Sequence, residues 1–452
     1  MPTIGKNPTP VPRARLESDL AGYPREGPLR FLLKLVREQG DIARYENSYG
    51  PVYFFNHPDQ VQSVLQSTNY VRTSLVSLLL GDGLLASEGE YWRSQRRLMQ
   101  PHFHERCVQG FGPMITDATH GMLKKWQEAT ASGATIDLSK EMRLLTLMII
   151  LNVLFGHVAE EDVRGISDAL KILMQDLGDI SDMVFNVPVD FSPSRNARFR
   201  EALRTLDQIV LRMMENRSAA AGDPHDLLAA LLNAERDVAG RALTRKQVRD
   251  EVVTMIVAGH ETTAISLTWA FHLLCQNPGV EQRLDHELRV ALGGRSPRVE
   301  DLSRMEYVRM VLEEAMRLYP PVSIVARQAI AEAEVGGVVI PAKSVLVLSA
   351  YTTHRHPQFW KDPESFDPDR FSPERSGKRH RFAYFPFLAG RHQCLGQPLA
   401  MMEGQLILAQ VAQRCRFHAL AGHPVEPLPG LALRLKEGFP VKLEMRQTTP
   451  LG

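Results

Sequence analysis

The sequence predicts a mainly α-helical fold with a small β portion. Apolar residues recur at helical spacing along most of the chain from Glu90 onward, one capped helical run near the middle is about 30 residues long, and the strand-like runs are few and short. Leu203, Leu206, Ile209, Val210 and Met213 illustrate the helical spacing. Before that point, Val52-Tyr53-Phe54-Phe55 reads as a strand after the turn Tyr49-Gly50-Pro51, and residues 60–66 read as helix. Late strands are expected at Val338-Val339-Ile340 and Val345-Leu346-Val347-Leu348, with Pro-rich irregular chain over 354–386 and a hairpin in 431–445 turning at Glu437-Gly438. Residues 1–30, rich in Pro, Gly and charge, form an irregular lead-in. Residues 31–452 form one domain, because segments belonging to one site lie on both sides of every conceivable linker.

Composition bounds the function. With 44% hydrophobic and 23% charged residues, the 452-residue chain is an ordinary globular sequence able to bury a large core. A formal net charge of +1 points to neither nucleic acid nor an anionic membrane as partner. The N-terminus has no apolar h-region. The most apolar stretch, 144–155, is broken by Thr146 and Asn152 and is too short to span a bilayer, so a buried helix without membrane anchor is expected, in a soluble, cytoplasmic protein. Four separated cysteines, Cys107, Cys275, Cys394 and Cys415, form neither a disulfide framework nor a zinc site. For three of them the plain reading is a buried small hydrophobe.

Cys394 differs. It ends the loop Phe385-Pro386-Phe387-Leu388-Ala389-Gly390-Arg391-His392-Gln393-Cys394-Leu395-Gly396, which feeds a helix over 398–412. Gly just before that helix and Pro in its first turn suit a helix start. Free N–H groups and the positive dipole end there favour a thiolate, and a thiolate is an axial ligand that promotes O–O cleavage on iron. Gly390 and Gly396 permit a tight turn and close backbone approach to a flat macrocycle, and Phe387 can shield the sulfur from water. The other cysteines have Gln100, Thr268 and Leu408 at the position of Phe387. The loop resembles the haem-binding signature of the cytochrome P450 family, Phe-x-x-Gly-x-x-x-Cys-x-Gly, which implies haem b (iron protoporphyrin IX) held by Cys394. The family's usual Arg two residues before the cysteine, a propionate contact, is replaced here by His392, with Arg391 beside it.

Thr244 and Gln247 make a capping box that opens the long helix, which ends before Asn277-Pro278. At its centre, Ala258-Gly259-His260-Glu261-Thr262-Thr263 is a weak point, since Gly costs about 1 kcal/mol relative to Ala and hydroxyls can capture backbone carbonyls. A zinc H-E-x-x-H motif fails because the second His position is Ala264. The segment resembles the family's oxygen-activation motif, which implies that Thr262 positions dioxygen and water and that Glu261 supplies protons. A solvated helix face is the plain alternative.

Glu314-Ala315-Met316-Arg317 has a spacing shared by Glu90/Arg93, Glu161/Arg164, Glu201/Arg204 and Glu306/Arg309, and such pairs alone contribute little. The resemblance singles it out, because Leu318-Tyr319-Pro320-Pro321 follows it and Pro368-Asp369-Arg370-Phe371 lies downstream, implying a buried structural trio with Arg370. It also implies that Trp92 and Arg96, from Trp-x-x-x-Arg, and Arg327 contact haem propionates. The match runs from about Tyr49 to Met445, with five motifs in family order, and implies the family's helical triangular prism.

The implied activity is a haem-thiolate monooxygenase that takes dioxygen and a small lipophilic substrate. No G-x-G-x-x-G follows a strand, so electrons are expected from a separate ferredoxin or flavodoxin, docking on the basic cluster Arg375, Lys378, Arg379, His380 and Arg381. By family position the substrate meets residues 75–85, 183–187, Met255, Ile256, 322–326 and Leu433, in a monomer. A peroxide-driven enzyme, a haem isomerase or dehydratase, and a haem-binding sensor remain open alternatives.

Overall fold

Twelve helices of nine residues or more carry the fold in the computed structural model, which describes residues 27–47, 50–72, 77–130, 135–176, 197–219, 227–235 and 243–446. In chain order they are α1 (Pro28–Gln39), α2 (Pro58–Gln66), α3 (Gly89–Met99), α4 (Gly112–Thr130), α5 (Leu138–Phe155), α6 (Glu160–Asp176), α7 (Ala197–Ala219), α8 (Leu227–Glu235), α9 (Arg245–Gln276), α10 (Pro278–Leu292), α11 (Glu306–Leu318) and α12 (Gln397–Arg414). Residues 1–26 of the expected lead-in and the 183–187 wall fall outside the described residues, and α1 starts at Pro28, so the end of the expected irregular lead-in is helical.

The main sheet has order β1-β2-β8-β5-β3, formed by β1 (Ile42–Asn47), β2 (Gly50–Phe55), β3 (Tyr70–Arg72), β5 (Ile324–Ala329) and β8 (Val345–Ser349). Only the β2–β8 pair is parallel. This sheet joins the early strand 52–55 to the late strand 345–349 and so brings Arg72 and Arg327 into register as partners. A short pair, β6 (Ala333–Val335) with β7 (Val338–Ile340), flanks it.

The tail departs from expectation. No hairpin turns at Glu437-Gly438. Instead β11 (Arg434–Leu435) pairs with β10 (Pro427–Leu428), while β12 (Pro440–Met445) lies between β4 (Thr135–Asp137) and β9 (Cys415–Ala419). The alternation in 431–445 serves two sheets because Gly438, at φ 73°, redirects the chain beside Asp137, whose carboxylate accepts from Phe439 N at 3.0 Å.

Helix α9 is capped as its sequence predicts. Thr244 Oγ1 accepts from Gln247 N at 3.2 Å, and Gln247 Oε1 accepts from Thr244 N at 2.8 Å. The helix runs unbroken for 32 residues through Gly259. That glycine has a packing reason, because a Cβ there would stand 3.0 Å from the Ile150 side chain of α5. Helix α5, which contains the most apolar stretch, is buried along most of its length. No single helix among the described residues is long and apolar enough to cross a membrane.

Cys415 is buried and Cys275 half-buried, but Cys107 is exposed, against expectation. It sits on the single turn Glu105–Val108, of which only Val108 faces the core. Arg164 also differs, pairing with Glu160 rather than Glu161.

The Glu314–Arg317–Arg370 trio is buried as expected. Arg317 Nε and Nη2 donate to Glu314 at 2.6 and 2.8 Å, and Arg370 Nε donates to Glu314 Oε1 at 3.2 Å. The remaining guanidinium donors go to the carbonyls of His354, Pro363 and Ser365 for Arg317, and of Lys361 and Asp362 for Arg370. These bonds tie α11 to the irregular chain that leads into the cysteine loop.

Candidate functional site

The cysteine loop is shaped by close approach at its middle. Gly390, at φ 69°, packs so tightly on the Leu65 carbonyl at the end of α2 that a side chain would collide with it. Its tight turn is thus required by α2. Cys394 N donates to Phe387 O at 2.8 Å, which closes the loop between shield and sulfur positions. Gly396 caps α12, and Pro398 lies in its first turn.

The backbone N–H groups of Gly396 and Gln397 and the Arg96 guanidinium all pull the Cys394 thiol pKa down. Burial works against them and wins, so the thiol of the chain alone stands above its ordinary value rather than below it. The helix N-terminus is where the sequence placed it, but desolvation is the larger effect. Cys394 as a residue is nonetheless exposed, whereas Cys415 is buried.

A cluster of basic groups borders the loop. Arg96 Nη1 donates to Gln393 O at 2.7 Å. Trp92 is buried, with its ring 4.4 Å from that of His392 and 5.9 Å from the Arg96 guanidinium. Arg72 Nε donates to Glu88 Oε1 at 3.0 Å, Arg391 Nη2 lies 3.8 Å from Glu88 Oε2, and His392 Nε2 lies 3.3 Å from the same oxygen. Arg327 is buried and donates to the Ala326 carbonyl at 2.9 Å. One carboxylate thus serves several cations. Burial would raise the Glu88 carboxyl, but His392 and Arg72 outweigh it and bring it down to about 2. Burial, reinforced by Arg72, brings Arg327 down to about 10, and burial likewise lowers Arg72, Arg96 and His392.

The centre of α9 presents a different surface. Most of the helix is buried, yet Ala258 is exposed and Thr262, one turn on, is half-buried. Thr262 Oγ1 donates to Ala258 O at 2.9 Å, and Thr146 of α5 donates to His260 O at 2.8 Å. Hydroxyls therefore engage carbonyls on both sides of Gly259, as the sequence suggested. Glu261 points elsewhere. It is buried and ion-paired with Arg434 of β11. Burial works to raise its carboxyl, but Arg434, helped by Arg143, holds it below the usual range.

The model of the family described as Cytochrome P450 matches residues 9–442. The chain belongs to the cytochrome P450 family. Among curated relatives, cyclooctatin synthase of Streptomyces melanosporofaciens is 34% identical over 417 residues, covering 90% of this chain and 89% of that protein. Cyclooctat-9-en-7-ol 5-monooxygenase of the same organism is 35% identical over 400 residues, covering 87% and 86%. The crystal structure of cytochrome P450DA heme domain superposes with a TM-score of 0.85 at 22% identity, covering 97% of both chains. The fold is therefore the mainly helical cytochrome P450 fold, and the chain is an oxygen-incorporating oxidoreductase. The family uses a haem-thiolate cofactor, dioxygen, an organic substrate and a redox partner.

The side chains of this cytochrome P450 suit such a cofactor. Arg391 Nε and both ring nitrogens of His392 are buried with no hydrogen-bond partner, and Arg327 has only a neutral acceptor among the described residues. Two propionates would satisfy these donors and the excess of cations around Glu88. Sequence reasoning found Trp92, Arg96, Arg327 and His392 of this cradle, but missed Arg72 and Glu88. Those two lie outside any motif, and only the β3–β5 pairing carries Arg72 beside Arg327. Arg434 and Arg143 were also missed. A charge within the alternating tail at Leu433-Arg434-Leu435 was the available signal for Arg434.

Proposed function

We propose that the chain binds haem b and inserts one oxygen atom of dioxygen into a C–H or C=C bond of a small lipophilic substrate. Electrons come from a separate ferredoxin or flavodoxin. The observation that carries this reading is the basic cradle of Arg72, Arg96, Arg327, Arg391 and His392 around a single carboxylate, bordering Cys394. It is suited to a dianionic ligand whose iron is taken by sulfur. When bound, haem with a thiolate ligand supplies dioxygen activation.

The chain's own residues do the rest. Cys394 is the ligand, Trp92, Arg96, Arg327 and His392 hold the carboxylates, and Phe387, Gly390 and Gly396 shape the loop. The Thr262 hydroxyl positions dioxygen and water. Glu261 supplies protons when its ion pair with Arg434 opens, since that pair otherwise occupies the carboxylate. Met255, Ile256, Ile324 and Leu433 supply apolar wall. The relative named for a 5-monooxygenation of cyclooctat-9-en-7-ol makes an apolar unsaturated alcohol the first substrate to test. The reading keeps residues 31–452 as one domain, acting as a cytoplasmic monomer.

The donor surface is narrower than the sequence suggests. Arg375 pairs with Asp367, His380 with Asp59, and Arg379 stacks on Trp360 with its cation 4.0 Å from the ring centroid. Arg379 and His380 are half-buried, while Arg375 stays exposed beside its partner. Arg375, Lys378 and Arg381 are the exposed cations left for docking.

The test has two parts. The reduced, carbon-monoxide-bound protein should show a strongly red-shifted Soret band that is lost in Cys394→Ala. With a ferredoxin or flavodoxin and isotopically labelled dioxygen, the product should carry one labelled oxygen atom. A normal haem-protein spectrum, or product without label, overturns the reading.

A further inference from the structure

Gly81 and Gly83 lie against the N-terminal half of α9. A side chain at Gly81 would run into the Asp250 carboxylate, and one at Gly83 would stand 2.7 Å from the Asp250 carbonyl oxygen. This approach lets two successive carboxylates of α9 accept backbone N–H groups from one segment. Asp250 Oδ2 accepts from Asp82 N at 3.0 Å, and Glu251 Oε2 accepts from Leu84 N at 3.0 Å. Arg249 Nη1 donates to the Leu79 carbonyl at 3.2 Å.

The two carboxylates are compensated unequally. Asp250 has Lys246 at 2.7 Å and Arg249 at 3.0 Å, and these cations also reach Asp82 and Asp207 of α7. Glu251 is fully buried, and no cation contacts it among the described residues. Its Oε1 is without a partner, as is the buried hydroxyl of Tyr91 on α3. The titratable groups facing this pocket are Asp250 on its own helix, Tyr91 on α3 and Asp82 on the clamped segment, with Gln247 beside Tyr91.

We propose that Asp250 and Glu251 are positioning residues that clamp the backbone of residues 79–84 to α9, and that protonation of Glu251 closes the clamp. The family resemblance puts residues 75–85 in the substrate wall, so the consequence for substrate rests on that expectation and on the proposed function, while the clamp does not.

Burial, with Asp250 adding to it, raises the Glu251 carboxyl to about 7. An opened segment would let water reach it and restore its ordinary value of 4.5. The closed state therefore holds the proton more tightly. It is favoured in full below the ordinary value and loses ground as pH rises through about 7. Above that, closing buries a carboxylate beside Asp250 with no cation of its own. Leu85, next to the clamped segment, is 39% exposed.

The test is amide hydrogen exchange of the peptide covering 79–86 in the full chain, corrected for intrinsic rates. Wild type should lose about tenfold in protection between about pH 6 and about pH 8. Glu251→Gln keeps an oxygen for Leu84 N–H and cannot ionise, so its protection should stay level. Glu251→Ala, lacking the acceptor, should be less protected at both values. Protection that responds to pH equally in wild type and Glu251→Gln, or in neither, overturns the clamp, as does unchanged protection in Glu251→Ala. A KM that rises with pH in wild type and is level in Glu251→Gln, at similar kcat, ties the clamp to substrate. If exchange behaves as expected and KM does not, the wall assignment falls and the clamp stands.

Discussion

Arg434 of β11 is ion-paired through Nε with Oε1 of Glu261, 173 residues earlier in the chain. The acid of the α9 motif is thereby secured by the tail. The Glu261 side chain is only 4% exposed and that of Arg434 26%. A carboxyl held below its usual value contributes stability above the ordinary carboxylate range and loses it as pH falls through the folded value. Arg434→Gln should therefore cost about 1–3 kcal/mol near neutral pH, with the difference from wild type narrowing in acid. Urea unfolding at two pH values checks this. A difference that persists unchanged in acid would show that Arg434 acts through packing alone.

Thr262 makes one hydrogen bond, to Ala258 O at 2.9 Å, so its hydroxyl carries little of the helix's stability. Thr262→Ala should lose about 1 kcal/mol at most and retain cofactor uptake. Product formed per donor electron should nevertheless fall at least about tenfold, and Thr262→Ser should recover most of it. Electron counting against product, in the reconstituted system, measures the ratio. An unchanged ratio in Thr262→Ala removes Thr262 from the oxygen-handling role.

What could be read from sequence was whatever is local. The α9 cap, the hydroxyl bond from Thr262 to Ala258, the Gly396-Pro398 helix start and the Glu314 trio all depend on neighbours within a few residues or on a family motif. The rest depends on pairing between distant segments. Arg72 joins the cradle only because β3 lies beside β5, and Glu88 only because it is the nearest carboxylate to Arg72, Arg391 and His392. The tail misled because period-two alternation says which residues face inward, not which strand is the partner. Phe439 and Val441 are buried as that pattern expects, yet their strand joins β4 and β9.

The Glu314–Arg317 pair separates a family motif from its look-alikes. Both side chains are 0% exposed, whereas those of Glu201 and Arg204 are 67% and 69% exposed at the same spacing. Arg317→Leu leaves a buried carboxylate with Arg370 as its remaining partner and strands several carbonyls, so about 3–5 kcal/mol should be lost. Glu201→Gln should change stability by no more than about 0.5 kcal/mol. Denaturant midpoints of the two variants give the comparison. Similar losses in both would mean that burial does not distinguish them.

Arg327 should act with opposite signs in the two forms of the protein. In the chain alone it is a buried cation, 4% exposed, with the neutral Ala326 carbonyl as acceptor and Arg72 and Arg391 as like-charged neighbours. Arg327→Met removes that cost, so the cofactor-free chain should be as stable as wild type or more stable by about 1 kcal/mol. The same change removes a charged donor for a carboxylate, worth about 1.5–3 kcal/mol, so haem should be released about tenfold to a hundredfold more readily. Thermal unfolding of the cofactor-free chain and haem transfer to an acceptor protein measure the two effects separately. A cofactor-free variant that loses several kcal/mol would make Arg327 a structural residue of the β3–β5 pair instead of part of a carboxylate cradle.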